Sequence, residues 1–366
     1  MAATEMTRTQ KAPSLSLHDR VLGCLLGGAC GDALGAPVEF MRLKEIQAKY
    51  GRAGITEFDE AYGLVGAITD DTQMTLFTVE GLIRSFIRQS LKGISHPPAV
   101  VHHAYLKWLA TQDQSFESRS EQADLDGWLM ADQRLWARRA PGNTCLSALR
   151  SNSNLGEFAK NNSKGCGTVM RAAPFGFVAG MTGGVPYAFD LAVESAQTTH
   201  GHPSARFASG ALAAIIAYVV QGSGVRDAVE RTLPLLQPDD EANEVSEALE
   251  DALRLSVEPK WRDHLHKLGE GWVAEEALAI AVLCAVAART PQEAIVAAAN
   301  HDGDTDSTAS IAGNIVGAGH GPSAIPKEWT EQVELRDVIE TLAQDFTAVL
   351  EGRANPDRLW DRYPGH

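Results

Sequence analysis

Cysteine is scarce in this sequence of 366 residues, and the few cysteines present are dispersed. They are Cys24, Cys30, Cys145, Cys166 and Cys284. No two of them have the Cys-x-x-Cys spacing that is typical of structural zinc sites. An odd, scattered set also disfavours a disulfide framework, on which many small secreted domains depend. The sequence therefore favours a reducing compartment and disfavours a structural zinc site.

Basic residues are outnumbered, with 32 Lys and Arg against 47 Asp and Glu, which leaves a net charge of −15. A surface of this sign repels nucleic-acid backbones and anionic membranes. The best basic candidate is the stretch from Arg134 to Arg139, where three arginines are spread along one predicted helix. Nucleic acid is therefore disfavoured as a partner, except as a modified substrate.

The sequence has neither a signal-peptide pattern nor a long uninterrupted apolar run. Residues 1 to 17 are polar and lack an apolar core. The longest apolar runs, such as Leu278 to Ala288, are shorter than the roughly 20 residues that cross a bilayer. We therefore expect a soluble, cytoplasmic protein that has no membrane partner, and we expect a monomer.

Period-2 alternation of apolar residues, the pattern of half-buried strands, is almost absent, and no βαβ rhythm replaces it. Helical periodicity is present instead, and two stretches, Ala208–Val220 and Leu278–Ala288, are Ala-rich and apolar on all sides, as in buried helices. No repeat or low-complexity linker divides the chain. We predict a disordered tail over residues 1–16 and a single all-α domain over 17–366, packed through Ala and Gly.

Helix signals recur along most of the chain. Residues 42–66 are predicted to be a loop with one short helix, and one or two helices are expected within 113–163. The remaining helices are predicted to begin near residue 18 and near Asp306, to form a pair within 187–221, and to cover 72–90, 97–111, 225–236, 240–256, 274–289, 291–300 and 334–352.

Acidic and hydroxyl side chains are concentrated in two short segments, each of which opens a predicted helix. The first is Thr69–Thr72 and the second, roughly 230 residues later, is Asp302–Ser307. Buried acids this close repel one another unless a cation or a hydrogen-bond donor lies among them. Carboxylate and hydroxyl oxygens suit hard divalent cations. We therefore predict that the two helix starts converge on one metal site.

Helix capping is the alternative explanation for these segments. Asp, Thr and Ser are favourable at helix N-termini through hydrogen bonds and the helix dipole. For either segment alone, capping explains the residues as well as metal binding does. A single cap needs only one acid, however, whereas Asp302–Ser307 carries three. The density of carboxylates favours metal.

A glycine-rich segment, Gly27–Phe40, ends with a single acid, Glu39. Small residues here let another backbone or a ligand come close. The segment follows a helix rather than a strand and lacks the Lys-Ser/Thr pair of a phosphate loop, which excludes a nucleotide-binding loop. From spacing alone, a solvated acid is the better interpretation of Glu39.

Two further turns carry polar groups suited to ligand binding. Gly165 and Gly167 flank a position where backbone N–H groups can point at an anion. Arg171, close behind them, is better interpreted as structural, anchoring the loop to a carboxylate. His200 and His202 lie in a Gly- and Pro-containing turn before a buried helix. Their pattern fits a structural and a ligand-binding role equally well.

Taken together, five motifs resemble the ADP-ribosylglycohydrolase family over about residues 18 to 350. The two acidic motifs are specific as a pair, although either alone would not be. The motifs, in chain order, are Gly31–Glu39, Thr69–Met74, Gly165–Pro174, Thr199–Pro203 and Gly303–Thr308.

The resemblance implies a compact multi-helix orthogonal bundle with two Mg²⁺ or Mn²⁺ ions in a central cleft. Asp306 is implied to bridge the two ions, and Glu39 to approach the scissile ribose. The implied metal ligands are Thr69, Asp70, Asp71, Asp304, Asp306 and Ser307. The implied catalytic acids are Glu39, Asp70 and Asp71. The implied ligand-binding residues are Asp32, Gly165, Cys166, Gly167, Thr168, His200 and Asp302.

This sequence departs from the family pattern at two positions. Cys166 stands where the related loop often has Asn, and Asp302 stands where a small residue is common. Asp302 adds a carboxylate beside the implied metals, where it could bind water, tune the ions or simply be exposed.

The implied activity is hydrolysis of a glycosidic bond to ADP-ribose through an oxocarbenium-like state. Metal ions can hold ribose hydroxyls and lower the pKa of a bound water, and an adjacent acid can position or deprotonate that water. The leading hypothesis is removal of ADP-ribose from protein arginine. The alternatives are an adduct of serine, of a nucleic-acid base or of a small molecule, or a non-catalytic ADP-ribose binder. A metal-dependent phosphoesterase is disfavoured because no histidine-rich ligand set accompanies the aspartates.

Overall fold

A computed structural model describes residues 15–112, 125–152, 154–181, 183–237 and 239–365. Helices account for nearly all of the regular structure in these ranges, as predicted. Residues 1–14 of the predicted tail and part of the segment 113–163 lie outside the described residues.

The helices are numbered in chain order. The α-helices are α1 Leu17–Gly35, α2 Leu43–Tyr50, α3 Asp70–Lys92, α4 Pro97–Gln112, α5 Trp128–Ala131, α6 Asn143–Ser151, α7 Phe175–Val178, α8 Gly184–Ala196, α9 Pro203–Val220, α10 Val225–Leu236, α11 Asn243–Leu255, α12 Ala274–Ala287, α13 Pro291–Ala298, α14 Thr305–His320, α15 Lys327–Gln332, α16 Arg336–Leu350 and α17 Pro356–Leu359. The 3₁₀-helices are Ala36–Val38, Gln133–Leu135, Cys166–Arg171, Asp240–Ala242, Trp261–Leu268 and Pro322–Ala324.

One small hairpin accompanies the helices. Its strands, β1 Glu60–Ala61 and β2 Leu64–Val65, are antiparallel, with Glu60 opposite Val65 and Ala61 opposite Leu64. Tyr62 and Gly63 at its turn have φ of 54° and 79°. The sequence analysis did not predict this hairpin, because two-residue strands are too short to show alternation.

The most extensive helix contact in the described chain is between α1 and α14, and it is made by glycine. A Cβ at Gly27 would lie 2.4 Å from the carbonyl oxygen of Gly313, and a Cβ at Gly317 would lie 1.9 Å from that of Gly23. Side chains at these positions would therefore overlap backbone atoms, so only glycine permits this approach. We call this contact the glycine seam: Gly23, Gly27, Gly31 and Gly35 of α1 against α14.

The glycine seam corrects one prediction and positions the acidic residues. The glycines were expected near the end of a helix, but α1 continues through them to Gly35. Because the two helices are antiparallel, the end of α1 meets the start of α14. A Cβ at Gly35 would lie 2.4 Å from the Cα of Asp306, and the Thr305 hydroxyl donates to the Gly35 carbonyl over 3.2 Å.

Buried Ala-rich helices form the centre of the molecule, as predicted. In α12 every residue from Ala274 to Cys284 is buried except Glu276, and most of α9 is buried too. Two stretches, Leu17–Val38 and Pro203–Val220, have the length and hydropathy to cross a membrane, which the search for uninterrupted apolar runs had not anticipated. They are 83% and 78% buried inside the protein, which is the burial expected of core helices.

Candidate active site

A cleft of about 210 Å³ opens where the starts of α3 and α14 meet the segment after α1. Ten of the predicted site residues line it, and they come from five separate stretches of the chain. They are Glu39, Asp70, Asp71, Gly165, Cys166, Gly167, His200, Asp304, Asp306 and Ser307. Four predicted residues do not line it, namely Asp32, Thr69, Thr168 and Asp302.

The first turn of α3 is held by two caps. Thr69 is the N-cap, and its Oγ1 accepts a hydrogen bond from the Asp71 N–H over 3.3 Å. The Asp32 carboxylate accepts from the Thr69 N–H at 3.0 Å, from the Thr72 N–H at 3.1 Å and from the Thr72 hydroxyl at 2.5 Å. Capping therefore accounts for Asp32 and Thr69, and it leaves Asp70 and Asp71 directed to other partners.

The start of α14 is fixed by a tight turn. Gly303 has φ 116°, and a Cβ there would lie 2.0 Å from the Glu270 carbonyl oxygen. The same carbonyl accepts from the Asp304 N–H over 2.8 Å. Asp304 is the N-cap of α14, and its Oδ1 accepts from the Ser307 N–H over 3.4 Å. This turn delivers Asp304 and Asp306 into the cleft.

Glu39 is buried, which overturns the interpretation of a solvated acid. The 3₁₀-helix Ala36–Val38 turns the chain inward after α1, and Glu39 is only 7% exposed. Glu39, Asp304 and Asp306 each offer a carboxylate oxygen, and these three oxygens lie within 4.8 Å of one another. Glu39 and Asp304 are 265 residues apart in the sequence, and the glycine seam brings their segments together.

Three carboxylate oxygens of the residues that line the cleft have no hydrogen-bond partner among the described residues. They are Glu39 Oε2, Asp71 Oδ1 and Asp306 Oδ1, all buried. Burial, and next the charge of Asp306, raises the pKa of Glu39 to about 11 and raises the pKa of Asp70 and of Asp71 well above the usual range. Orphaned buried carboxylates are costly unless a cation compensates them.

The residues present therefore fit a hard divalent cation. Its positive charge would offset the mutual repulsion of the carboxylates, and the orphaned oxygens could coordinate it. The Ser307 hydroxyl lies beside them, although it also contacts the Cys166 sulfur at 3.6 Å. The oxygen atoms already present in the cleft could therefore serve as ligands of a cation.

A further part of the cleft lining is the loop Gly165–Gly167, which Thr168 follows. It is fixed by an antiparallel bridge between Gly165 and Val273, and by a hydrogen bond from the Cys166 N–H to the Trp272 carbonyl over 3.1 Å. The Thr168 hydroxyl donates to the Ala205 carbonyl over 2.8 Å and so anchors the loop to α9. This contact explains why Thr168 lies outside the cleft.

The two departures from the family pattern have defined contacts. The Cys166 thiol donates to Asp304 Oδ2 over 2.8 Å, so it supports a cleft carboxylate. Asp302 accepts from the Leu43 N–H over 2.6 Å and lies 3.9 Å from Arg42. Asp302 therefore caps α2 and tethers the segment after Glu39, which none of its three sequence-based interpretations had described.

Arg171 is structural, but no carboxylate of the described residues anchors it. Its Nη2 donates to the Thr199 hydroxyl over 2.7 Å, and its Nη1 approaches sulfur atoms of Met74 and Cys145 at 3.3 and 3.5 Å. The guanidinium lies 4.0 Å from the centre of the Tyr105 ring. The predicted carboxylate partner is therefore wrong, because the sequence could not show which buried groups surround this side chain.

Sequence reasoning missed an aromatic pair beside the cleft. Trp272 lines the cleft and is 39% exposed, and its ring stacks on that of Phe40 with centroids 5.9 Å apart. Nearby, Arg42 pairs with Glu270 over 2.5 Å. No periodic or acidic pattern marks these residues. The only local signal was an aromatic residue after Gly271 in a short turn before α12.

Comparison with known proteins agrees with this geometry. The model of the family described as ADP-ribosylglycohydrolase matches residues 13–356. The chain is 27% identical over 326 residues to the ADP-ribosyl-[dinitrogen reductase] glycohydrolase of Rhodospirillum rubrum, covering 88% of this chain and 92% of that protein. It is 24% identical over 337 residues to an ADP-ribosylarginine hydrolase of Pseudomonas putida, covering 90% and 78%.

A solved structure supports the fold. It is described as an ADP-ribosylglycohydrolase-related protein complex, and it matches with a TM-score of 0.64 at 23% identity, covering 91% of this chain and 99% of its own. At that identity the likeness concerns the fold alone. With the family model matched over nearly the whole chain, these findings show that the protein is a member of the ADP-ribosylglycohydrolase family.

Proposed function

We propose that this protein is a divalent-metal-dependent hydrolase that releases ADP-ribose from modified arginine side chains of proteins. The observation that carries the proposal is the set of buried, unpartnered carboxylate oxygens of Glu39, Asp71 and Asp306, three residues that line one cleft. Two relatives, an ADP-ribosyl-[dinitrogen reductase] glycohydrolase and an ADP-ribosylarginine hydrolase by name, support the substrate class. A cytoplasmic location and a monomeric state belong to the same proposal.

Metal binding is assigned to the two helix starts. Asp70 and Asp71 would hold Mg²⁺ or Mn²⁺ from α3, and Asp304 and Asp306 from α14, with the hydroxyls of Thr69 and Ser307 as further ligands. We propose that the site would hold two ions and that Asp306 would be a ligand to both. When bound, the ions supply polarisation of ribose hydroxyls and a lowered pKa for a coordinated water.

Glu39 is assigned to proton transfer at the scissile bond. A departing guanidine needs a proton, and Glu39, a buried acid of the cleft, is the group assigned to supply it. Asp70 and Asp71, which line the same cleft, can orient the attacking water. This division of roles follows the usual pairing of an acid and a base across a glycosidic bond.

The remaining contacts are assigned to the ADP part of the ligand. The Gly167 N–H and the His200 side chain would face the diphosphate. The N–H groups of Gly165 and Cys166 already donate to the Ser163 hydroxyl and the Trp272 carbonyl, so the sequence-based expectation for this loop is narrowed to Gly167. The partly exposed Trp272 ring offers a flat apolar surface. The net charge of −15 is compatible with an anionic ligand, because bound cations make the local field positive.

Release assays on ADP-ribosylated arginine, serine and nucleic-acid substrates, each with Mg²⁺, Mn²⁺ or EDTA, test this function. We expect release from arginine only with metal, and almost none from Asp306→Asn. The adenosine contacts remain in that variant, so calorimetry should show weakened rather than abolished ADP-ribose binding.

The substitution Asp263→Asn is the matched control, since it removes one charge from an exposed side chain that does not line the cleft, and it leaves the acidic helix starts intact. Tight ADP-ribose binding by the wild type, without release from any substrate under either metal, would indicate a binding module and overturn the proposal. Release from serine alone would support a hydrolase, but one that acts on serine adducts instead of arginine adducts.

A further inference from the structure

His200 is buried, at 1% exposure, and lines the cleft. A Cβ at Gly165 or at Gly167 would lie 3.5 Å from His200 Nε2 in each case, so the imidazole fills the space that these glycines leave open. Among the described residues, Nε2 makes no hydrogen bond to a protein group. What Nε2 offers a ligand depends on whether it carries a proton.

The other ring nitrogen has a defined neighbour. His200 Nδ1 lies 2.9 Å from the Thr199 hydroxyl oxygen. The same oxygen accepts a hydrogen bond from Arg171 Nη2 over 2.7 Å. Arginine can only donate, so this bond uses a lone pair of the hydroxyl and leaves its proton available for another partner.

Two acceptors compete for that hydroxyl proton. One is the Ala196 carbonyl oxygen at 3.4 Å, and the other is His200 Nδ1 at 2.9 Å. The Ala196 oxygen already accepts from the Thr199 N–H at 3.1 Å and from the His200 N–H at 3.0 Å, so both of its lone pairs are used. His200 Nδ1 is the closer of the two and has a free lone pair, so it accepts the hydroxyl proton of Thr199 in a hydrogen bond.

We propose that Arg171 is a positioning residue that acts through Thr199 to keep His200 neutral and protonated at Nε2. This tautomer presents an N–H donor to an anionic group bound at the Gly165–Gly167 loop. The proposal rests on the proposed function for the identity of the anion, the diphosphate of ADP-ribose.

The charge of Arg171 supports the same state. Burial, and next the neighbouring Arg171 cation, lowers the pKa of His200 to about 3, so the ring stays neutral at physiological pH. Arg171 is itself buried at 1% exposure, and its partners among the described residues are a hydroxyl and two sulfur atoms rather than a carboxylate. A fixed cation behind a neutral donor attracts an anion at any pH at which the protein is folded.

Nitrogen NMR of the histidine side chains tests the tautomer directly. The 11 histidines require assignment, which the loss of one ring's signals in His200→Gln provides. In wild type without ligand or metal, we expect His200 Nε2 to have the shift of a protonated nitrogen and Nδ1 that of an unprotonated one, unchanged between pH 8 and pH 5. Protonation at Nδ1, or at both nitrogens, would overturn the proposal.

Thr199→Val removes the hydroxyl at nearly constant volume and tests the relay. We expect the His200 shifts to move toward protonation at Nδ1, and the Kd for ADP-ribose at fixed Mg²⁺ to rise about tenfold, as for one lost hydrogen bond to a charged group. Thr199→Ser should restore both. Unchanged His200 shifts in Thr199→Val would refute the relay, whatever the effect on Kd.

Thr198→Val is the matched control, since Thr198 is an equally buried neighbour whose hydroxyl donates to the Ser195 carbonyl over 2.7 Å instead. It should destabilise the protein similarly but leave the His200 shifts and the Kd unchanged. Arg171→Met should act like Thr199→Val; if that variant does not fold, Thr199→Val alone decides. A protein with the expected shifts that hydrolyses no ADP-ribose adduct would refute the proposed function and leave this inference standing.

Discussion

Several acids of this cleft are buried close to one another, an arrangement that is costly in a folded protein unless the charges are compensated. Glu39 lies with Asp304 and Asp306 in a buried cluster, although like charges at this distance repel strongly. The sequence could signal the acids of the two helix starts, because they stand close together in each segment. It could not signal the burial of Glu39, which depends on the path of the chain after α1.

Glu39→Gln tests the catalytic role at this scale. The amide keeps the shape of the carboxyl but cannot supply a proton, so we expect turnover on ADP-ribosylarginine to fall by well over threefold. The melting temperature should change little, because the amide has nearly the size of the carboxyl and can also form hydrogen bonds. Steady-state kinetics and thermal unfolding measure the two effects, and turnover within about threefold of wild type, under ~0.7 kcal/mol in the barrier, would exclude catalysis by Glu39.

The same residue predicts a pH dependence of stability for the metal-free protein. The folded-state pKa of Glu39, about 11, lies above the ordinary value of 4.5, so the folded state holds a proton that the unfolded state releases. This contribution is complete below about pH 4.5 and is lost progressively as pH rises toward 11. Urea unfolding in EDTA should therefore show a lower free energy of unfolding at pH 8 than at pH 5.

Two comparisons check the origin of that slope. Glu39→Gln should make it smaller, because the amide does not titrate, whereas Asp70 and Asp71, whose pKa values are also raised, still contribute. Saturating Mg²⁺ should do so as well, because a bound cation favours the charged carboxylates. An unfolding free energy that rises with pH in the metal-free wild type would contradict the arrangement described for these acids.

At the scale of elements, the contact between α1 and α14 decides the geometry of the cleft. The N-cap at Ser16 and the reciprocal bonds of Asp19, at 3.0 and 3.1 Å, start α1 where the sequence pattern indicated. The end of α1 was misplaced, because glycine is a helix breaker in isolation and becomes favourable only when another backbone occupies the vacant space. Local propensity contains no information about that partner.

Gly27→Ala tests the glycine seam. The new methyl group would meet the Gly313 carbonyl oxygen at 2.4 Å, so the helices must separate, and we expect a loss of about 1–3 kcal/mol in unfolding free energy. Separation would also shift the start of α14, so metal affinity should fall in parallel. Gly224→Ala is the control, because a Cβ there meets nothing within 4 Å and φ is −64°. Equal stability of the two variants would rule out the close contact.

At the scale of the whole molecule, metal and folding should be linked. The carboxylates that would bind the ion come from opposite ends of the sequence, so the complete site exists only in the folded chain. A ligand at 100 times its Kd stabilises the native state by about 2.7 kcal/mol. We expect Mg²⁺ or Mn²⁺ to raise the melting temperature and EDTA to lower it, as measured by calorimetry, with Asp306→Asn largely insensitive to both.

The overall architecture was predictable because helical periodicity is a repeated signal. The helix 225–236 was placed at its observed bounds, and the two buried Ala-rich helices were identified by composition. Features that depend on a single contact between distant segments were not predictable, among them the Phe40–Trp272 stack and the surroundings of Arg171. Such contacts leave no periodic trace in either segment.

The glycine seam also has a consequence for genetics. Substitutions at Gly23, Gly27 and Gly31 should abolish function as completely as substitutions of the acids, although none of these glycines lines the cleft. A saturation-mutagenesis screen scored by activity alone would therefore report a stripe of intolerant positions at every fourth residue of α1 and would assign it to the active site. Scoring cellular abundance in the same library would separate the two groups, because seam variants should disappear from the cell whereas cleft variants should accumulate as inactive protein.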